Sequence, residues 1–190
     1  FRRSPEKILA QIGLVSFSER YWKEYEPGTP SPEKRLENVQ NLKEIGIAPE
    51  IRVDPIIPFV TDTEAEAIAL FGRLKEIGVK RATISYLHVR PAIQKQLMKE
   101  LSPIHRRVIE SCFRTQAWKE VGSSTKTKLL SKTIREKGYQ RIKEVGERFG
   151  ITTSVCQCKN PDLKGDLCSS GKIRSVLKKE KPIQLPLFRC

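Results

Sequence analysis

The pentapeptide Leu-Lys-Glu-Ile-Gly occurs twice in this chain, at residues 42–46 and 74–78. Each copy ends a helical pattern and is followed by a run typical of a strand, first "IAPEIRVDPIIP" and then "KRATISYLHV". A third such run, "ILAQIGLVSFS" at residues 8–18, precedes the first helix. Strands and helices therefore alternate in units of the length expected for βα repeats. This order predicts an α/β fold with a parallel sheet, either a barrel or a doubly wound sheet.

The helix predicted over residues 31–46 has a start and a stop signal of its own. Ser31 is placed as the N-cap and Pro32 at the first helical position, and Gly46 is placed to end the helix. Apolar residues recur every three positions inside it, which gives one face that can be buried. A second helix of the same kind is predicted over residues 62–78.

The chain changes character after residue 90. Helices are predicted over 91–113 and 124–150, followed by a short strand in "GITTSV" and a loop rich in cysteine. Three strands in the first part are too few to close a barrel. We therefore predict a partial (β/α) barrel that contains only the C-terminal strands, followed by a helical, Cys-containing C-terminal extension. The predicted divisions are 1–90 for the barrel part, 91–150 for a basic helical region and 151–190 for the Cys-containing tail.

The chain is strongly basic, with 36 Lys and Arg residues against 22 acidic residues and a net charge of +14. This charge predicts attraction to DNA or another polyanion. A generally basic proteome, or the Lys- and Glu-rich surface of a thermophile, is an open alternative. No apolar run is long enough to span a membrane, and the first residues lack the apolar core of a secretory signal. We therefore expect a cytoplasmic protein and, because the chain lacks an initiator Met, a fragment of a longer one.

Polar residues cluster where the predicted strands end, which is where parallel βα folds bind ligands. They suit a ligand that carries hydroxyls, an amine and a carboxylate. The predicted ligand-binding residues are Ser16 and Ser18 on the first strand, Arg52 and Asp54 on the second, and Ser85 on the third. Arg52 and Asp54 could instead form an ion pair inside the barrel that has no functional role. A charge without a function in an apolar strand is less expected, because burying a charge costs free energy.

Two further residues at the end of the third strand, Tyr86 and His88, have weaker functional signals. A single His or Tyr in such a place is more often part of the hydrogen-bonded structure than a general base. We therefore predict no specific catalytic residue from the sequence.

Four cysteines near the C-terminus form the candidate metal site: Cys156, Cys158, Cys168 and Cys190. Four thiolates suit zinc or an iron–sulfur cluster, although the spacing matches no standard zinc ribbon. Disulfides and unligated thiols are the open alternatives. The fifth cysteine, Cys112, falls in a helical pattern and is predicted to be a buried apolar residue.

Residues 26–62, "EPGTPSPEKRLENVQNLKEIGIAPEIRVDPIIPFVTD", resemble a known family. The segment is similar to radical S-adenosylmethionine proteins related to spore photoproduct lyase, often described as DNA repair photolyases. The "CQCKNPDL" segment and the terminal "LFRC" also resemble the C-terminal ends of some members. The resemblance covers most of the chain, and "RVDPIIP" is its most specific part.

The resemblance implies a partial βα barrel that binds S-adenosylmethionine and a 4Fe–4S cluster and generates a 5′-deoxyadenosyl radical. The family holds its cluster with a CxxxCxxC loop, which does not occur in these 190 residues. The chain is therefore expected to be the C-terminal half of such a lyase-like enzyme, or a degenerate relative, and to be inactive without an N-terminal half.

By position, the resemblance assigns S-adenosylmethionine contacts to the strand-end residues Ser16, Ser18, Arg52, Asp54 and Ser85. The tail cysteines resemble those that some radical enzymes use for an auxiliary cluster.

Two other functions remain open at this point. One is a nucleic-acid-binding module that grips phosphates with its basic helices and has a tail stabilised by zinc or a cluster. The other is a phosphate-binding βα barrel, for which no glycine-rich loop is visible.

Overall fold

The computed structural model describes residues 8–121 and 124–165. Strands and helices alternate through the first half of this region, as the sequence predicts. In chain order the elements are β1 (Gln11–Gly13), α1 (Glu19–Tyr25), α2 (Pro32–Glu44), β2 (Glu50–Ile56), α3 (Glu64–Glu76), β3 (Arg81–Tyr86), β4 (His88–Val89), α4 (Pro91–Glu100), α5 (Pro103–Phe113), β5 (Lys119–Val121), β6 (Ser124–Leu129), α6 (Lys132–Arg148) and β7 (Thr152–Val155).

The central sheet has four parallel strands in the order β1, β2, β3, β7. Its register pairs Gln11 with Glu50 and Ile51 with Ala82, and it pairs Arg81 with Thr152. The predicted α/β class with a parallel sheet is confirmed. Within the described residues β1 and β7 are the two edges of the sheet, so these strands form an open sheet and not a closed barrel.

The two Leu-Lys-Glu-Ile-Gly segments end α2 and α3 in the same way. Gly46 and Gly78 follow the helices with φ angles of +81° and +68°, a conformation that glycine adopts without strain. At the other end of α2, Ser31 accepts a hydrogen bond from the backbone N–H of Lys34 at 3.2 Å. The equivalent N-cap of α3 is Thr63, which accepts from the N–H of Glu66.

The core lies between these helices and one face of the sheet. Its side chains on β2 and β3 include Ile51, Val53 and Ile84, all at most 3% exposed. Alternation along β2 places Arg52 and Asp54 on the opposite face, because successive strand residues point to opposite sides. The sheet therefore has one apolar face covered by helices and one face with charged residues.

Three predicted elements differ in the structure. The first strand ends at Gly13, so Ser16 and Ser18 lie beyond it, at the start of α1. The helix predicted over 91–113 is interrupted between α4 and α5. The segment Ser124–Leu129 is not helical but forms β6, which pairs antiparallel with β4 and β5. Its alternating Thr and Lys residues give the period of two typical of a strand, and β-branched Thr favours that conformation.

The strand predicted in "GITTSV" is confirmed as β7, and it pairs with β3 in the central sheet. The division of the chain at residues 90 and 150 stays a prediction. None of the helices in the described residues has the length and apolar character needed to cross a membrane.

Helix α6 approaches the sheet closely at the positions of its own glycines. A Cβ added at Gly138 would lie 1.6 Å from the hydroxyl of Tyr86, which itself donates to Asp62 at 2.8 Å. Gly138 is therefore required by close approach of the helix to β3 and not by a turn.

We expect Gly138→Ala to lower the free energy of unfolding by about 1–3 kcal/mol, because Tyr86 must move and lose its bond to Asp62. The matched control is Gly72→Ala in α3, where the added Cβ would meet only Phe149 at an ordinary 3.7 Å. The control should be neutral or stabilising by up to about 1 kcal/mol from helix propensity. Urea unfolding measures both, and equal stabilities of the two variants would contradict the close approach.

Candidate functional site

Asp54 lies at the centre of a charged cluster at the carboxyl end of β2. Its Oδ2 accepts hydrogen bonds from Nη2 of Arg52 at 2.8 Å and from Nζ of Lys159 at 2.5 Å. The Asp54 side chain is only 9% exposed, so the carboxylate is largely out of water while two cations balance it. The ion pair that we considered as the alternative is present, and ligand contact by Arg52 and Asp54 stays a prediction.

Lys159 is the site residue that sequence reasoning missed. It lies in a 3-10 turn, Gln157–Lys159, that directly follows β7. The next residue holds the turn in place, because the Asn160 amide donates to the carbonyl of Cys156 at 2.9 Å. The turn-forming residues at 160–162 were the only sequence signal here, and they do not indicate a partner more than a hundred positions away.

A buried arginine attaches this turn to α6. Arg135 is 1% exposed and donates to both carboxylate oxygens of Asp162, at 3.0 and 2.6 Å. It also donates to the side-chain oxygen of Asn160 at 2.8 Å. The hydrogen bond from Arg135 is the largest cause that holds the pKa of Asp162 below its usual value. Asp162 is therefore ionised at neutral pH and forms an ion pair with Arg135. This ion pair holds in place the segment that contains Lys159.

The predicted serines already have partners within the protein. Ser16 is buried and donates to Glu66 at 2.6 Å, while it accepts from the backbone N–H of Ser18 at 2.9 Å. Ser18 caps α1 by accepting from the N–H of Tyr21 at 3.2 Å. Ser18 borders a cavity of about 280 Å³ whose lining does not include Asp54. The structure does not bring these two serines into the cluster around Asp54.

Ser85 and Tyr86 are both buried at the end of β3. Ser85 is fully buried, and alternation along β3 places it on the same face as Thr83, which is in register with Arg52. Tyr86 donates to Asp62 at 2.8 Å, and its backbone N–H donates to the hydroxyl of Tyr139 at 3.0 Å. Burial raises the pKa of Tyr86 and of Tyr139, so both hydroxyls stay protonated. Tyr86 is thus a structural residue, as we expected.

A cavity of about 430 Å³ opens where β2 and β3 end. Its lining includes Asp54, His88 and Lys159, together with Arg90 and residues of α1 and α4. Burial, followed by the nearby charge of Lys159, lowers the pKa of His88 to about 4. The His88 ring is therefore neutral at pH 7, and its Nε2 is buried without a hydrogen-bond partner in the described part of the protein.

Two of the four predicted thiol ligands fall within the described residues. Cys156 is buried and Cys158 is exposed, while Cys168 and Cys190 lie outside the described ranges. Within residues 8–121 and 124–165, no group of three or more His, Cys, Asp or Glu residues could hold a metal ion. The four-thiolate site stays a prediction. Cys112 is buried in the hydrophobic core, which confirms its interpretation as an apolar residue.

Comparisons with known proteins agree with this architecture, although no family model matches the chain. The "Radical SAM Nalpha-GlyT isomerase" of Pseudomonas phage M6 is 23% identical over 159 residues, which are 82% of this chain and 32% of that protein. The structure "Spore photoproduct lyase complexed with dinucleoside spore photoproduct" has a TM-score of 0.52 and 16% identity, covering 75% of this chain and 43% of the lyase chain.

A variant of the same lyase with bound AdoMet and dinucleoside spore photoproduct has the same TM-score, identity and coverage. The chain thus spans about a third of the phage relative and less than half of the solved lyase chains. These findings show that the fold is related to that of radical S-adenosylmethionine enzymes.

We expect His88 to titrate far below the usual histidine pKa of about 6.5. Between that value and about 4, the unfolded chain binds more protons than the folded chain. The free energy of unfolding should therefore fall as the pH drops through this window, and His88→Gln should reduce the fall. NMR titration of the two histidine rings, assigned with His105→Gln, measures the pKa directly. A His88 pKa near 6.5 would contradict the buried neutral ring.

Proposed function

We propose that this chain is the C-terminal half of a radical S-adenosylmethionine enzyme, and that the charged cluster around Asp54 contacts the cofactor. The observation that carries this proposal is the polar face at the carboxyl end of a parallel sheet. Parallel sheets are normally apolar on both faces, and ligands of such folds bind beyond the strand ends. Arg52 and Asp54 stand on that face of β2, and the turn after β7 brings Lys159 to Asp54.

The residues of the cluster fit the polar groups of S-adenosylmethionine. The planar guanidinium of Arg52 can bind a carboxylate with two parallel hydrogen bonds, and Asp54 can accept from an amine or hydroxyl. Lys159 is 37% exposed in its side chain, so a ligand at the cluster can also contact its ammonium group. When bound, the cofactor would supply the hydrogen-abstraction chemistry of the family. The residues of this chain would bind and orient it and exclude water.

The 4Fe–4S cluster does not fit the residues of this chain. No CxxxCxxC motif occurs in the 190 residues, and the described residues hold no set of ligands for a metal. We propose that the cluster is held by a preceding half of the same protein. The sequence encoded upstream of Phe1 tests this part directly, since a full-length gene without the motif would contradict it.

A nucleic acid is the substrate class that we propose for the whole enzyme. The two solved lyase structures named above hold a dinucleoside spore photoproduct, and the net charge of +14 favours polyanions.

We expect the 190-residue chain to bind S-adenosylhomocysteine, and Arg52→Gln to weaken that binding about tenfold or more, because a charge-assisted hydrogen bond is lost. Isothermal titration calorimetry without iron or reductant measures both affinities. The matched control is Arg148→Gln at the exposed end of α6, which should bind like the unmodified chain. Equal affinities of Arg52→Gln and Arg148→Gln would exclude Arg52 from the cofactor site.

A nucleic-acid-binding module without radical chemistry is the second candidate function. The β5–β6 hairpin favours it, because Nζ of Lys128 lies 5.1 Å from the ring centroid of Trp118, which is 41% exposed. Exposed aromatic rings flanked by cations are typical of single-strand binding surfaces. Both functions can belong to one protein, since an enzyme that acts on DNA also needs a basic surface.

For this surface we expect affinity for a single-stranded oligonucleotide to fall steeply as salt rises, and Lys126→Glu in the exposed hairpin to weaken binding. The matched control is Lys80→Glu, an equal charge change at the amino end of β3. Fluorescence anisotropy over a range of salt concentrations measures the slope of the logarithm of the binding constant against the logarithm of the salt concentration. The magnitude of this slope should decrease by about one for each phosphate that the protein no longer neutralises. Equal effects of the two substitutions would indicate attraction by net charge alone.

A further inference from the structure

A second cavity, of about 520 Å³, is lined by residues of β4, α4, α5 and β6. Its charged lining residues are the cations Arg107, Arg114 and Lys128 and the carboxylate of Glu110. Three positive charges therefore face this cavity against a single negative charge. An excess of positive charge in a cavity favours an anionic ligand, because walls of low dielectric constant concentrate the electric field there.

The side chains of the two arginines have no partners within the described part of the protein. Arg107 and Arg114 are both exposed, and neither side chain forms an ion pair or a hydrogen bond there. They are seven residues apart, on α5 and at its C-cap, which is two helical turns or about 10 Å along the axis. Glu110 lies between them at a spacing that permits helix ion pairs, but it forms none among these residues. Both guanidinium groups are therefore available to a ligand.

Lys128 supplies the third positive charge from β6. Its Nζ donates to the backbone carbonyl of Phe113 at 3.2 Å and lies 5.1 Å from the centroid of the Trp118 ring, so the ammonium group is held beside the end of α5. An ammonium group has three N–H donors, which leaves two of them for a ligand. The carbonyls at the end of a helix carry only about half a negative charge together. They therefore do not cancel the three full charges of the cations.

The charge and the donors of this lining fit a phosphate monoester. Such a group carries a charge of about −1.5 to −2 at pH 7 and three strong acceptor oxygens. That charge balances three cations that are offset by one carboxylate, and a guanidinium can bind a phosphate with two parallel hydrogen bonds. The apolar part of the wall, which includes Val89, Ile109 and Phe113, can contact the carbon part of the ligand, and the volume is in the range of small-molecule sites.

We propose that this cavity binds a phosphate monoester, with Arg107, Arg114 and Lys128 as its hydrogen-bonding partners. Two sources carry this group, the phosphorylated end of a nucleic-acid strand and a free nucleotide. We assign it to the end of a strand. This assignment rests on the proposed function, whereas binding of the phosphate group does not.

The test compares thymidine 5′-monophosphate with thymidine, which differ only in the phosphate group. We expect the monophosphate to bind the 190-residue chain saturably in isothermal titration calorimetry at fixed ionic strength. Thymidine should bind at least tenfold more weakly. The proposal is overturned if the monophosphate does not bind saturably or if thymidine binds equally well.

Arg107→Gln and Arg114→Gln should each weaken the binding of the monophosphate about tenfold or more, because each removes a charge-assisted hydrogen bond. The matched control is Arg81→Gln, which removes the same charge from an exposed residue at the amino end of β3 that does not line the cavity. The control should bind the monophosphate nearly as well as the unmodified chain does. Equal effects of the three substitutions would mean attraction by net charge alone and would contradict a phosphate site.

A melting measurement separates a ligand-binding role of Arg107 from a structural one. Without ligand, Arg107→Gln should not lower the melting temperature, because the guanidinium has no partner within the described residues. The monophosphate should raise the melting temperature of the unmodified chain, and it should raise that of the variant less, because a ligand stabilises a protein according to its affinity. A lower melting temperature of the ligand-free variant would mean a structural role and overturn the assignment of Arg107.

The source of the phosphate group is tested by competition with a hexathymidylate strand that does or does not carry a 5′-phosphate. Displacement of thymidine 5′-monophosphate at a concentration at least tenfold lower with the phosphorylated strand supports the end of a strand as the source. Equal displacement by both strands would mean that the cavity binds backbone diesters, which overturns the monoester. If neither strand displaces the monophosphate, the ligand is a free nucleotide, and the assignment to a strand is overturned.

S-adenosylhomocysteine keeps this proposal apart from the proposed function. Arg107→Gln should weaken the binding of thymidine 5′-monophosphate and leave that of S-adenosylhomocysteine unchanged, and Arg52→Gln should have the reverse effect. Binding of the monophosphate by a chain that does not bind S-adenosylhomocysteine would overturn the cofactor site alone and support the phosphate site.

Discussion

The ion pair between Arg135 and Asp162 is the contact on which the site depends. Arg135 is 1% exposed, so its charge is stable there only while it is fully paired and hydrogen-bonded. Asp162 and Asn160 provide that pairing, and both belong to the segment that follows β7. The same contact therefore ties that segment to α6 and brings Lys159 to Asp54. Loss of the Asp162 carboxylate would leave the buried guanidinium without its counter-charge and release the turn that carries Lys159.

A line of hydrogen bonds extends this constraint across the strand ends. Asn160 accepts from the hydroxyl of Tyr139, which in turn accepts from the backbone N–H of Tyr86. Tyr86 donates to Asp62, and Asp62 also accepts from the backbone N–H of Phe59 in the loop after β2. The loop after β2, the last residue of β3 and the segment after β7 are thus held by one buried network. Such a network fixes the relative positions of the groups that a ligand would meet, which is what preorganised binding requires.

The two faces of the sheet differ: one packs in the hydrophobic core, and the other carries the charged residues of the candidate site. Ile51 and Val53 anchor β2 in the core, and Arg52 and Asp54 occupy its other face. Charge in a parallel strand is costly unless it is paired, and here Lys159 and Arg52 share the carboxylate of Asp54. This arrangement keeps the charges stable without a ligand, while a ligand with its own carboxylate and amine could exchange partners with them. His88 differs, because its buried Nε2 has no such partner among the described residues.

The sequence by itself determined the βα alternation, the caps of α2, the glycine ends of α2 and α3, and the buried place of Cys112. These features depend on residues a few positions apart, through side-chain periodicity and hydrogen bonds within one turn. It also indicated Arg52 and Asp54, because charges in an apolar strand are conspicuous. Only the tertiary structure decided that β7 joins the sheet beside β3, that Ser16 bonds Glu66, and that Lys159 reaches Asp54. Those contacts join residues up to 105 positions apart, and their energies depend on how the whole chain packs.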